Sequence, residues 1–131
     1  MSLPRRFHSA VLLNTGKVLI SPGQDSASAD VLEIFNPATG TFSQVQLQIG
    51  RNNGIVVALS DGRVLLASGA FLGEAIVSAE VFDPATQTTL FTDNAVVDHV
   101  FGRGVLLTNG SVLLVGSDFS PLHADVYQVG P

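Results

Sequence analysis

Three positions, spaced 46 and 48 residues apart, carry a cation or an imidazole: Arg5, Arg51 and His99. Three carboxylates recur with nearly the same period: Glu33, Glu80 and Asp125. The first series could form a basic ring that recruits an acidic ligand. It could also brace loops, each side chain holding a backbone carbonyl or a carboxylate such as one near Asp25 or Glu74. A side chain that returns in every repeat usually serves the repeat, which favours the brace. The carboxylates could do acid–base work or accept hydrogen bonds between neighbouring units, and the same reasoning favours the second. His8, His99 and His123 occur with Asp98, Asp118 and Asp125, residue types that can hold zinc, copper or iron. No H-x-x-x-H or similar ligand spacing joins them, so they read as ordinary loop residues and no metal is assigned. Arg103 stands apart. It lies in Phe101-Gly102-Arg103-Gly104-Val105, where its counterparts are Ser9 and Ile55. There it lines a central channel or faces solvent, and it is the best single candidate for binding a small anion. The candidate ligand-binding residues are therefore Arg5, Arg51, His99 and Arg103, with no catalytic residue and no cofactor assigned.

Composition narrows the field. The chain of 131 residues is 46% hydrophobic and only 13% charged, with a net charge of -5. That balance supplies a core and argues against a general nucleic-acid binder or a basic membrane-surface protein. There is no cysteine, so thiolate metal sites, disulfides and cysteine nucleophiles are excluded. The apolar stretch after Arg6 is short and broken by Asn14, Thr15 and Gly16, unlike a secretory signal. No run approaches a spanning helix. A soluble chain is expected, its compartment unassigned. Nucleotide and nucleophile-elbow fingerprints are absent.

The elements that must position these residues follow from an internal repeat. Leu12-Leu-Asn-Thr-Gly-Lys-Val-Leu-Ile20 matches Ala58-Leu-Ser-Asp-Gly-Arg-Val-Leu-Leu66 and Leu106-Leu-Thr-Asn-Gly-Ser-Val-Leu-Leu114. Glu33-Ile-Phe-Asn-Pro-Ala-Thr39 matches Glu80-Val-Phe-Asp-Pro-Ala-Thr86, and Asp125-Val-Tyr-Gln128 begins a third copy. Each repeat reads as four strands. A first strand (9–13) meets a glycine hairpin at Gly16, Gly62 or Gly110. The second strands (17–21, 63–67, 111–115) are short unbroken Val/Leu runs, which predicts burial on both faces. A third strand (31–35) ends at an Asn/Asp-Pro turn. In the fourth (41–49), Val45, Leu47 and Ile49 alternate with glutamines, the mark of a strand wet on one face.

Arg5…His8-Ser-Ala-Val-Leu-Leu13, Asp61-Gly-Arg-Val-Leu-Leu-Ala-Ser-Gly69 and Ser78-Ala-Glu-Val-Phe-Asp-Pro-Ala-Thr86 resemble the kelch repeat of bacterial propellers and galactose oxidase-like propeller domains. One glycine of the usual pair survives in each repeat (Gly23, Gly69, Gly116), and Phe42 and Leu90 or Phe91 stand where a tryptophan is usual. The resemblance implies four-stranded propeller blades with ligand sites on the face of the long loops (21–30, 68–77, 116–124). It also implies a copper site of two tyrosines, two histidines and a cysteine in the oxidases. With Tyr127 alone and no cysteine, that redox function is not carried over.

The expected architecture is all-β: one domain of three kelch-like blades (about 4–49, 50–97 and 98–131), a half-propeller. The third blade lacks its fourth strand. Closed propellers have four to eight blades, so both end faces of the arc need cover. A second copy about a two-fold axis would complete six blades, and further sequence in the same chain is the alternative. The expected function is a non-catalytic module binding a protein or glycan. The alternative is a small sugar-active hydrolase or lyase using Arg103, His99 and Asp98 on the axis.

Overall fold

The computed structural model describes residues 1–24, 29–95, 98–117 and 123–130. Asp25, Asp118 and Pro131 lie outside the described residues. Among the described residues there is no helix; thirteen strands form three main antiparallel sheets and one small hairpin.

The first sheet holds β1 (Ala10–Leu12), β2 (Val18–Ile20), β3 (Val31–Asn36) and β4 (Thr41–Gln46), in that spatial order. The second holds β5 (Ile55–Ala58), β6 (Val64–Ala67), β9 (Ala79–Asp83) and β10 (Thr88–Thr92). Between β6 and β9 the chain makes a two-stranded hairpin, β7 (Ala70–Phe71) with β8 (Glu74–Ala75). The third sheet holds β11 (Arg103–Leu106), β12 (Val112–Val115) and β13 (Ala124–Tyr127). The β1–β2, β5–β6 and β11–β12 turns place Gly16, Gly62 and Gly110 at φ 78°, 91° and 86°, a region closed to most side chains. The fourth strand ends at Gln46, three residues short of the expected 41–49. Leu47 still donates its amide to the Asp30 carbonyl, but the chain then bends toward the next sheet.

The sheets stack in chain order. β5 lies beside β1 on one side and β11 on the other, and β4 lies beside β10. The middle sheet is therefore covered twice. Val64, Leu66 and Phe82 pack against Leu13, Leu19, Leu32 and Ile34 of the first sheet. Leu65, Ala67 and Val81, on the other face, pack against Val112, Leu114 and Tyr127 of the third. Alternate residues of β6 thus point into two cores, which is why a four-residue strand has no polar position and is buried throughout.

Candidate functional site

The two repeated series are one constellation. Arg5 Nη2 meets Glu33 Oε2 at 2.9 Å, and Arg51 Nη2 meets Glu80 Oε1 at 2.8 Å, with all four side chains buried. Arg5 Nη1 also donates to the Ser21 and Val31 carbonyls, and Arg51 Nη1 to those of Ser68 and Ser78. In the third repeat His99 plays this part. Its Nε2 lies 3.2 Å from Asp125 and its Nδ1 2.9 Å from the Gly116 carbonyl. Each of these side chains ties the segment before the innermost strand to the ends of the second and third strands of its own sheet. The carboxylates are the partners, in place of Glu74, which lies exposed on β8.

The Glu80 carboxylate also faces the sheet before it. Glu80 accepts the backbone amides of Gln48 at 2.8 Å and Ile49 at 3.1 Å, where the chain leaves the first sheet. At Glu33 the segment before the first sheet takes that place, Ser2 donating both its amide and its hydroxyl. Burial pushes the Glu33 carboxyl upward. The two Ser2 hydrogen bonds and the Arg5 guanidinium outweigh this and hold it below the usual carboxylate value. Burial lowers the pKa of Arg51, opposed by Glu80. Three of the four candidate binding residues, Arg5, Arg51 and His99, are thus committed inside the protein and do not form a ring open to ligand.

Two residues after each brace the backbone turns into the innermost strand through a left-handed conformation. Phe7, Asn53 and Phe101 have φ of 55°, 54° and 60°. For phenylalanine this geometry is held only by its surroundings. The Phe101 amide donates to the Asn53 carbonyl at 2.9 Å, and the Phe7 and Phe101 rings meet edge to face at 6.3 Å. These three turns rim a depression of about 350 Å³ where the innermost strands converge, with His8, Ser9 and Arg103 on its wall.

Arg103 is exposed there, its Nη1 resting on the Gly102 carbonyl at 3.1 Å. A guanidinium, an imidazole and a hydroxyl sharing one depression with two aromatic rings suit a ligand with acceptor oxygens and one apolar face. Asp98 accepts from the Ser117 hydroxyl at 2.6 Å, and His123 is exposed. Among the described residues no three His, Asp or Glu side chains gather to hold a metal ion. Among them, too, no helix is long and apolar enough to cross a membrane.

Sequence reasoning missed the left-handed triad and the role of Ser2. Both had a signal: Phe7, Asn53 and Phe101 keep the 46- and 48-residue spacing of the braces, and Ser2 stands 46 residues before Gln48.

No protein-family model matches the chain, and no curated protein does. Among solved structures it is similar to a fungal alcohol oxidase with catalytic diversity among the AA5 family, in complex with copper, at a TM-score of 0.71 and 18% identity over 93% of this chain. The fold is galactose oxidase-like. The chain spans 28% of that structure's length, and identity at this level speaks for the fold alone. Copper belongs to the neighbour. Here Tyr127 is the one tyrosine, and its hydroxyl donates to the Asp93 carbonyl inside the protein, so the residues present do not fit the neighbour's metal.

Proposed function

We propose that the three sheets are kelch-like blades of a half-propeller, that two copies close a six-bladed ring, and that the ring is a non-catalytic module. It would present the axial depressions and the long loops to a protein or glycan partner. One observation carries this reading: the uncovered outer faces repeat the pattern of the covered ones. On the first sheet, Val18, Ile20 and Phe35 occupy the places of Val64, Leu66 and Phe82, which are fully buried against a neighbour. On the third sheet, Val105 and Val126 occupy the places of Val57 and Val81. The first pair is 56% and 59% exposed, the second 7% and 8%. Apolar faces of this kind mark interaction sites. Since one face is the first side of a blade and the other the second side, a second copy supplies both complements at once.

The alternative of a sugar-active hydrolase or lyase relied on Arg103, His99 and Asp98. His99 and Asp98 are engaged with Asp125, Gly116 and Ser117, and among the described residues lining the depression there is no carboxylate. This supports binding over catalysis. The reading is tested by sedimentation equilibrium. Twice the chain mass is expected, falling to the chain mass in Val18→Asp. A folded wild-type monomer at tens of micromolar would overturn it.

A further inference from the structure

We propose that the axial depression takes a uronate residue of an acidic glycan, its carboxylate on Arg103 and its apolar ring face against the phenylalanines. The inference deepens the proposed function and rests on its reading of the depression as a binding site. The starting point is Phe7 and Phe101. The left-handed turns need a residue that tolerates positive φ, and Asn53 supplies one in the second repeat. Phenylalanine makes the same turn at greater cost, and Phe7 and Phe101 are also 66% and 42% exposed. Neither the strained conformation nor the exposure is demanded by the turn, since asparagine suffices there. What the phenylalanines add is a pair of rings, edge to face, at the rim of the depression. Such rings give the C–H face of a pyranose an apolar surface to lie on.

The polar wall selects an anion. Arg5, Arg51 and Arg63 each hold a carboxylate: Glu33, Glu80 and Asp61. Arg103 Nη1 instead rests on the carbonyls of Phe101 and Gly102, at 3.4 and 3.1 Å. Among the described residues no carboxylate pairs with it. A guanidinium free of such a partner meets a ligand carboxylate as a fork, through two parallel hydrogen bonds. A single cation suits a monoanion better than a doubly charged phosphate.

His8 and Ser9 share that wall. Ser9 uses its backbone toward Ser21, and among the described residues neither the Ser9 hydroxyl nor the His8 imidazole has a partner. Each can both donate and accept, which answers the ring hydroxyls of a sugar and is wasted on a bare anion. The volume of about 350 Å³ lies within the small-ligand range of about 300–1,000 Å³. All these residues belong to one chain, so the inference does not depend on the solution mass.

The test titrates the full chain, followed by amide NMR, with four probes: methyl glucuronoside, methyl glucoside, acetate and inorganic phosphate. Saturable shifts of the Gly54, Gly102 and Gly104 amides are expected with the glucuronoside, at an affinity roughly tenfold or more above that of the other three. Arg103→Gln should abolish that preference and leave the urea midpoint unchanged, because the side chain is exposed. Equal affinity for the glucoside would overturn this inference and leave a glycan-binding module standing. Acetate or phosphate bound as tightly as the glucuronoside would overturn it too, reducing the site to one for anions. An unaltered preference in Arg103→Gln would do the same. No saturable shift with either sugar would overturn it together with the glycan half of the proposed function.

Discussion

The brace is where a single side chain matters most. Arg51 is enclosed with Glu80 as its one carboxylate partner among the described residues, and a buried charge stripped of its partner is costly. Glu80→Ala should destabilise by roughly 3–5 kcal/mol in urea unfolding. Replacing both residues, Arg51→Met with Glu80→Leu, should cost clearly less, because no uncompensated charge remains. Glu33 adds a pH dependence. Its folded pKa is depressed, so its contribution is present above the usual carboxylate value and lost as pH falls through the folded one. Glu33→Gln should therefore be less stable than the parent at pH 7, with the gap in urea midpoint closing as pH drops below about 4. The pairing itself was only half legible. Each series shows its period in the sequence, but nothing in two separate periods says that Arg5 and Glu33, 28 residues apart, share one cavity. That fact belongs to the fold.

Among elements, the hairpin glycines and the Val/Leu runs were readable because local chemistry decides them. The turns need positive φ at Gly16, Gly62 and Gly110, and β6 has no polar residue to spare for solvent. The β7–β8 hairpin was not readable. Its strands are two residues each, and the segment is held by Phe71 lying over Gly50 and by the Asn52–Ala70 bridge, contacts made at a distance along the chain. Where β11 meets β5, packing is tight. A Cβ on Gly104 would lie 2.6 Å from methyls of both Ile55 and Val57, branched side chains with little freedom to yield. Gly104→Ala should destabilise by about 1–3 kcal/mol, read as a lowered midpoint in thermal or urea unfolding, with unchanged far-ultraviolet circular dichroism in the folded state.

For the molecule as a whole, the decisive fact is the contrast between one sheet with two covers and two sheets with one each. Burying a valine or leucine is worth roughly 1.5–3 kcal/mol, so the uncovered Leu12, Val18, Ile20, Val105 and Val126 represent a large unrealised stabilisation. The repeat in the sequence anticipates three similar sheets stacked in chain order. What no sequence pattern supplied is how two such faces would meet in the proposed ring, and the existing junctions offer a template for it. Gly104 lies against Ile55 and Val57 across the second and third sheets. Its counterpart in the first sheet is Ala10, and Val57's counterpart in the third is Val105. In a closed ring Ala10 of one copy would therefore sit against Val105 of the other. The chain contains no cysteine, so a double variant Ala10→Cys, Val105→Cys can report that contact without background. On mild oxidation it should form a covalent dimer in high yield, with both thiols consumed and each single variant remaining uncross-linked. Free thiols on a chain that stays monomeric, or a ladder of open-ended oligomers, would contradict the closed two-copy ring.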